Sequence, residues 1–517
     1  MIDLSAGKRH HPPRPDRALR PFPRGDAFLP IEDYAAIGDG HTLALVGADG
    51  AIDWMCLPEL DSPSVFGALL DAARGGRFTL CPAVPFTTSR RYLERTNVLE
   101  TTFHTERGKV RLLDALTIDK SQTVPWRELV RRLEVLGGST PMRWRCEPRF
   151  GYGSRPARFE RRGAAMLARH DHLQLGLRVW GVGEPQIRDG FVDGGFELNA
   201  GEQAMLVLVA GADQPLPVPE REGVERRLDD AIEIWRSWVG RHRYEGPWRD
   251  AVERSLLAIK LLAHSDTGAI AAAGTTSLPE AIGGQRNYDY RFGWVRDLCF
   301  ALDALIAVGM GELTQAAVAW LLAATGRTHP RIDPVYTLRG EVLRSQQRLP
   351  LSGYGGTGPV HLGNDAGAQL QLGGFGDLVE TVAAFAAHGH ILPVAIGERL
   401  ADVGDLLSRI WRSEDAGLWE LGERRQYGTS KLGCWVAFER LLQLVDAGQV
   451  PPRHVARWQR ERDEVRRFIE LHLFSPQRNS YLFRAGSGDL DCAMLLAARR
   501  GFGDRARLLG TVDAIRS

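Results

Sequence analysis

The 517-residue chain has very little lysine, no excess of charge of either sign and no long apolar run. Only five lysines occur beside 60 arginines, and the formal net charge at pH 7 is +1. A balanced charge creates no field that would hold nucleic acid or an acidic membrane surface. We therefore expect no nucleic-acid partner and no membrane partner, and a neutral ligand fits this composition best.

The apolar runs are too short to cross a bilayer. The longest one, Ala316–Ala324, has nine residues, whereas a membrane-spanning helix needs about 20. The N-terminus is basic and rich in proline, and no apolar stretch of the length of a signal peptide follows it. These absences predict a cytoplasmic protein.

Cysteine is also scarce, and its spacing predicts no special chemistry. None of the six cysteines lies close enough in sequence to another to form a zinc knuckle or a redox Cys-x-x-Cys motif. The histidine pairs at 170–172 and 388–390 have no third ligand at a recognised spacing. The sequence therefore predicts no metal site and no cofactor.

Changes of composition along the chain predict four segments. A chain of this length exceeds what one hydrophobic core usually serves, so more than one domain is expected. Residues 1–27 read as a flexible tail because they are rich in proline and poor in apolar residues. Residues 28–215 carry strand-like runs, residues 216–246 form a proline-rich joint and a helical linker, and helical periodicity dominates residues 247–517.

The segment 28–215 is predicted to be an antiparallel β-sandwich. Asp49-Gly50 is a hairpin dipeptide between two runs of strand-like residues. Further short runs, bounded by glycine or proline, lie at 109–116, 127–136, 172–180 and 203–211. Many short strands without intervening helices favour a sandwich.

The segment 247–517 is predicted to be helical throughout. Leu298, Leu302 and Leu305 recur at helical spacing, and Gly309 follows as a stop. Helix candidates lie near 248–264, 298–308, 312–325, 365–387, 395–412, 430–446, 453–473, 489–500 and 503–516. Helices of similar length joined by glycine-rich loops are typical of a helical barrel or solenoid.

The densest group of chemically active residues is TTSLPEAIGGQRNYDYRFGWVRD, residues 275–297. Its aromatic rings suit the apolar faces of a sugar, and its arginines and aspartates suit the hydroxyl groups. A purely structural interpretation also exists. Asp297 precedes an apolar helix and could be its N-cap, and Trp294 could belong to the core.

A second group is GLWELGERRQYGTSKLGCWVAFERL, residues 417–441. An indole such as that of Trp419 beside a carboxyl favours the protonated form that a general acid needs. By spacing alone, the favoured interpretation is that Glu420 is a solvated loop residue. Lys431 stands out because lysine is so rare in this chain, and it is a candidate for substrate binding. A third, glycine-rich group at 351–374 lacks the order of a nucleotide-binding loop.

These groups and an N-terminal block together resemble glycoside hydrolase family 15, the glucoamylase and trehalase-like family. The match covers nearly all of residues 28–517 in the expected order. The residues that carry it are PIEDYAAIGDGHTLALVGADGAIDWMCLPELDSPSVFGALLD, RRYLERTNVLETTFHT, TTSLPEAIGGQRNYDYRFGWVRD, GYGGTGPVHLGNDAGAQLQL, GLWE and SKLGCWVAFERL.

The resemblance implies an N-terminal β-sandwich followed by an (α/α)6 barrel that carries the active site in its loops. It implies inverting hydrolysis of α-glucosidic bonds, with one carboxylic acid and one carboxylate base. Glu420 matches the general acid. Arg296 and Asp297 match the pair that grips the terminal glucose. Tyr290 and Trp294 match aromatics that line its pocket, and Trp419 matches the residue just before the acid. The expected partner is therefore an α-linked glucose saccharide.

Some positions depart from the family pattern. Leu421 stands where members commonly have arginine, and Gly373 stands where they have aspartate. The family's base lies in the last helices of a barrel of twelve, whereas the sequence predicts nine helices. We therefore expect a C-terminally shortened form that binds glucosides and hydrolyses them very slowly. The alternative is a non-catalytic saccharide-binding remnant that lacks the base. A glycoside phosphorylase is a third possibility, which the WVRD and GLWE pairing disfavours.

Overall fold

The structure is a computed structural model that describes residues 27–118, residue 120 and residues 124–517. The predicted flexible tail lies outside the described residues, except for residue 27. The chain divides into two compact units. The first ends at Trp238 and also includes Leu351–Gly356, and the second comprises Val239–Pro350 and Thr357–Ser517. The division falls within the predicted linker.

The first unit is built from antiparallel strands and ends in one helix, α2 (Arg221–Val239). A single turn, α1 (Phe150–Gly153), interrupts the strands. The strands are β1 (Tyr34–Gly38), β2 (Leu43–Gly47), β3 (Ala51–Cys56), β4 (Ser64–Phe66), β5 (Arg77–Pro82), β6 (Thr87–Tyr92), β7 (Leu99–His104), β8 (Gly108–Leu116), β9 (Arg127–Glu147), β10 (Arg155–Pro156), β11 (Phe159–Arg162), β12 (Ala165–His170), β13 (Leu173–Trp180), β14 (Gln186–Arg188), β15 (Phe191–Asn199) and β16 (Gln203–Ala212).

The strands of this unit form two sheets, and strand β9 takes part in both. Its first half pairs with β8 and β16, and its second half pairs with β5 and β15, always antiparallel. The strand changes sheets at Gly138, which has a φ of +77°. A Cβ at this position would lie 2.1 Å from the Arg107 carbonyl oxygen, so only glycine fits. The predicted strand at 127–136 therefore continues eleven residues further, to Glu147.

The core of the first unit draws apolar side chains from both sheets. Phe78 and Trp144 come from one sheet, and Phe103 and Leu133 come from the other; each is at most 1% exposed. The expected hairpin at Asp49-Gly50 joins β2 and β3. The prediction of an antiparallel β domain is confirmed.

The second unit is helical. Residues 239–517, all of which the structure describes, contain nine α-helices. They are α3 (Arg249–Leu262), α4 (Val295–Ala307), α5 (Gly311–Gly326), α6 (Gly373–Ala387), α7 (Val394–Ile410), α8 (Gly428–Asp446), α9 (Val455–His472), α10 (Leu496–Arg500) and α11 (Arg505–Arg516). Short two-stranded ladders lie in the loops, formed by β17 (Gly293–Trp294) with β18 (Val335–Tyr336), β19 (Gln346–Leu349) with β20 (Val360–Gly363), and β21 (Phe474–Ser475) with β22 (Ser480–Tyr481).

Inner and outer helices alternate in this unit. Helix α6 contacts both α4 and α8, and these helices are apolar over much of their surface. Helices α7 and α9 instead bury one face and expose charged residues on the other, as outer helices do. Gly376 of α6 lies against Gly433 of α8, where an added Cβ would come within 2.4 Å of the facing carbonyl oxygen. The prediction of a helical barrel domain after the β domain is confirmed.

The inner helices α4, α6 and α8 direct their N-termini towards one cavity. Arg296 near the start of α4, Gly373 at the start of α6 and Thr429 at the start of α8 all line it. This end of the helical unit is therefore where loop residues can converge. None of the helices in the described ranges combines the length and apolarity needed to cross a bilayer.

Candidate active site

Glu420 lies in the loop that connects α7 to α8, two residues after Leu418, which lines this cavity. Its φ is +50°, a left-handed conformation that costs a non-glycine residue energy. Gly417 and Gly422 flank it with φ values of +70° and +83°. The Glu420 side chain is 17% exposed. A backbone held in this conformation aims the carboxyl group in one fixed direction, which suits a reacting group.

Nitrogen donors from other segments converge on one oxygen of this carboxyl group. Gln371 Nε2 donates to Glu420 Oε1 at 2.9 Å. Trp294 Nε1 lies 3.4 Å from the same oxygen, and an Arg296 guanidinium nitrogen lies 3.5 Å from it. The segments before α4, before α6 and before α8 therefore meet at Glu420.

Arg296 links the Glu420 loop to the start of α4. One of its guanidinium nitrogens donates to the Leu418 carbonyl oxygen at 2.8 Å, and another lies 3.2 Å from Asp297 Oδ2. The two side chains remain partly open, at 20% exposed for Arg296 and 40% for Asp297. A charged pair that is partly open retains hydrogen-bonding capacity for a ligand.

Asp297 is not the N-cap of its helix. Helix α4 begins at Val295 with Trp294 as its N-cap residue, so Asp297 lies inside the first turn. The capping interpretation is therefore wrong. Loss of surrounding water raises the pKa of Asp297 above its ordinary value, and the charge of Glu420 acts in the same direction, while Arg296 opposes both.

Aromatic side chains form one wall beside Glu420. Trp294 is 1% exposed, which agrees with its core interpretation, yet its indole N–H faces the carboxyl group. The Tyr290 ring lies 5.3 Å from the Trp294 ring, centre to centre. Burial, together with the charge of Glu420, raises the pKa of Tyr290 to about 12, so its hydroxyl stays protonated near neutral pH.

Trp419 presents a second aromatic surface, and two contacts hold it. The residue is 46% exposed. Its Nε1 donates to Asp491 Oδ2 at 3.0 Å, and its carbonyl oxygen accepts a hydrogen bond from Arg286 at 3.1 Å. The other Asp491 oxygen caps the turn that starts at Cys492. Asp491 therefore fixes an otherwise open indole ring.

The structure does not bring Lys431 into this group. The lysine is fully buried in α8, and its ammonium donates to the carbonyl oxygens of Trp411 and Ser413. Burial lowers the pKa of Lys431 below its ordinary value. Lys431 therefore links the end of α7 to the start of α8. It does not lie where the expected substrate contact would place it.

An open cavity lies beside these residues. Its lining includes Arg296, Gln371, Gly374, Leu418, Thr429 and Arg500. Inside the cavity wall, Arg500 pairs with Asp377 of α6. The polar side chains in the lining of the cavity suit a polar ligand.

Sequence reasoning missed Gln371 and Asp491. Gln371 lies in the glycine-rich segment 351–374, which was interpreted from its glycines and not from its glutamines. Asp491 precedes a helix candidate and has the signature of an N-cap, which it is. A polar side chain inside a glycine-rich loop was the available signal for Gln371, and no signal distinguished Asp491 from other caps.

Two family profiles and several known proteins match this chain. The profile described as glycosyl hydrolases family 15 matches residues 246–517, and the one described as trehalase-like, N-terminal matches residues 19–229. A trehalase of Mycolicibacterium smegmatis is 31% identical over 526 residues, covering 94% of this chain and 77% of the relative. A trehalase of Thermoplasma volcanium is 28% identical over 500 residues, covering 95% of this chain and 79% of the relative.

A solved structure of a wild-type glycosidase also aligns with the chain. It is 15% identical, and the alignment covers 51% of this chain and 68% of that one with a TM-score of 0.40. A similarity of this size adds nothing to the assignment.

Proposed function

This chain belongs to glycosyl hydrolase family 15 and is a glycoside hydrolase, and we propose that it hydrolyses an α-glucosidic bond with inversion at the anomeric carbon. Trehalose is the substrate to test first, because curated relatives that align with more than nine-tenths of the chain are trehalases. The loops around Glu420 hold the glucose unit whose bond is cleaved.

The convergence of donors on Glu420 Oε1 carries this proposal. In our mechanism, Glu420 is the general acid that protonates the leaving oxygen of the glycoside. A general acid must be held within hydrogen-bond reach of the atom it protonates, and a positioned acid contributes about a hundredfold to ten-thousandfold in rate. The left-handed backbone at Glu420 and the short bond from Gln371 supply that fixed position.

Arg296 and Asp297 bind the terminal glucose in this mechanism. Their partly exposed side chains offer a guanidinium donor and a carboxylate acceptor to neighbouring hydroxyl groups of the sugar. Tyr290 and Trp419 supply aromatic surface for the C–H faces of the ring, and the buried Trp294 presents its indole N–H to Glu420. The half-exposed Trp419 suits the outer sugar.

Inversion requires a second carboxylate that deprotonates the attacking water, about 6.5–9.5 Å from the acid. Asp297 is committed to Arg296 and to sugar binding, so we do not assign it this role. The stereochemistry of the product reports directly on the presence of a working base.

The test follows the anomers released from trehalose by proton NMR during the first turnovers. An inverting enzyme yields β-glucose from the cleaved glucosyl unit and α-glucose from the leaving group, in equal initial amounts. Release of α-glucose alone would contradict inversion. Tight saccharide binding without hydrolysis would instead support the binding-only alternative. Azide-stimulated turnover of α-glucosyl fluoride would then locate the defect in the base, because azide needs no deprotonation.

A further inference from the structure

The two oxygens of the Glu420 carboxyl group have different surroundings. Gln371, Trp294 and Arg296 all direct N–H groups at Oε1, at 2.9, 3.4 and 3.5 Å. Within the part of the chain that the structure describes, no donor is placed on Oε2. The carboxyl group is therefore asymmetric before any substrate arrives.

Gln371 makes the shortest of these bonds, and its orientation is determined by its neighbours. Its Nε2 lies 2.9 Å from Glu420 Oε1 and 3.1 Å from Gln369 Oε1. Glu420 Oε1 is an acceptor, so an amide oxygen of Gln371 in this place would face another oxygen, whereas the amide nitrogen donates to it. The residue is 8% exposed, which leaves the side chain little freedom to turn away.

The loop that carries Gln371 is bonded to the loop that carries Glu420. The backbone N–H of Leu372 donates to Asp415 Oδ2 at 2.9 Å, and the N–H of Ala416 donates to the Leu370 carbonyl oxygen at 2.9 Å. Asp415 is fully buried and also accepts from the Ser430 hydroxyl. These bonds fix the distance between the glutamine and the glutamate by tying their main chains together.

We infer that Gln371 is a positioning residue that keeps Glu420 Oε1 as a permanent acceptor and so places the transferable proton on Oε2. This inference rests on the proposed role of Glu420 as the general acid. A protonated oxygen cannot accept three N–H groups and also direct its own proton at them, so the proton occupies the other oxygen. The acid then enters each cycle with its proton on the oxygen that is free to meet the glycosidic oxygen.

Other charged or titratable groups also face Glu420, and they bear on its protonation. From α4 come the cation of Arg296 and the carboxylate of Asp297, which interact with Glu420 electrostatically. Further groups near this cluster are Tyr290 in the preceding loop, Asp377 of α6, and Asp491, which is bonded to the neighbouring Trp419. Arg286, which donates to the Trp419 carbonyl oxygen, and its partner Glu280 also lie nearby. A variant of Gln371 leaves all of them in place, so its effect on the pH profile isolates the amide.

The test compares Gln371→Leu, Gln371→Glu and the control Gln443→Leu, which makes the same change on the exposed end of α8. A donor to a carboxyl group favours the ionised form, so removing it delays deprotonation. With Gln371→Leu, the alkaline limb of kcat/KM for trehalose should move to higher pH by about one unit, and kcat should fall roughly tenfold. Gln371→Glu preserves shape, but a second carboxyl group should move the limb further in the same direction.

A second substrate separates positioning from general damage. Fluoride leaves α-glucosyl fluoride without proton assistance, so Gln371→Leu should keep nearly normal turnover of it. Gln443→Leu should leave both substrates and the pH profile unchanged. An unshifted alkaline limb in the shape-preserving Gln371→Glu variant would overturn the inference, as would equal losses on both substrates in either Gln371 variant. Full trehalose turnover by Glu420→Gln would instead remove the proposed function itself.

Discussion

Two arginine–aspartate pairs lie close together in the sequence RNYDYRFGWVRD, and the structure uses them differently. Asp289 and Arg291 are both completely buried. The Arg291 guanidinium donates to the two oxygens of Asp289 at 2.9 and 2.8 Å, and the Gly363 N–H adds a bond at 3.1 Å. The two opposite charges of this pair therefore compensate each other inside the protein.

The pair of Arg296 and Asp297 stays partly open. An ion contact of 3.2 Å joins the two, and their side chains are 20% and 40% exposed. Arg296 also donates hydrogen bonds to the loop that carries Glu420. The comparison teaches that the same two residue types form a structural brace where water is fully excluded, and we propose that they bind the sugar where it is not.

Breaking the buried pair should have the largest effect on stability. Asp289→Asn keeps the shape of the side chain but leaves the Arg291 charge buried without a counter-charge. Loss of one partner of a buried ion pair typically costs about 3–5 kcal/mol, so the urea midpoint of the helical unit should fall markedly. Asp297→Asn is the matched control and should shift it little. A midpoint for Asp289→Asn that equals the control's would show that the two pairs do not differ.

Breaking the open pair should instead weaken saccharide binding. Asp297→Asn loses a charge-assisted bond to a sugar hydroxyl, which is worth about 1.5–3 kcal/mol, so affinity should fall roughly tenfold to a hundredfold. Titration calorimetry with trehalose in a Glu420→Gln background measures this without turnover. Unchanged affinity accompanied by a large loss of stability would assign Asp297 to the same structural role as Asp289.

The pH dependence gives a finer test of the open pair. The pKa of Asp297 is raised above its model-compound value of 3.8. Between that value and the raised one, the folded chain binds more protons than the unfolded chain, so this group's contribution to stability falls as pH rises. At neutral pH Asp297→Asn should therefore be at least as stable as the wild type.

Saccharide affinity should show the opposite trend in the same pH window. The ionised carboxylate is the form that accepts hydroxyl groups, so wild-type affinity should decline as pH falls through the raised pKa of Asp297. The Asp297→Asn variant should lack this decline. Parallel affinity profiles for the two proteins would mean that another group titrates there.

Local sequence patterns predicted the elements well, but some of their limits were wrong. The glycines at 137 and 138 looked like the end of a strand. Instead β9 passes through them and continues into the second sheet, because only glycine fits beside the Arg107 carbonyl oxygen. Periodicity reports which face of an element is buried, and it does not report that one strand serves two sheets.

The candidate site was predictable where its residues form one continuous motif. Arg296, Asp297 and Glu420 came from such motifs, and the structure brings them together. Gln371 and Asp491 contact the Glu420 loop across 49 and 72 positions of sequence, so no local pattern joins them to it. Lys431 is the opposite case. The rarity of lysine suggested a substrate contact, but the ammonium of Lys431 donates to main-chain oxygens.

The most direct test of the account is the turnover of two substrates by Glu420→Gln. Glutamine keeps the size of the side chain and removes only its proton. Hydrolysis of trehalose should fall by about a hundredfold to ten-thousandfold, whereas α-glucosyl fluoride, whose leaving group needs no proton, should still be hydrolysed at a rate near that of the wild type. Trehalose hydrolysis by this variant at the wild-type rate would contradict the account, because the proton would then come from another residue.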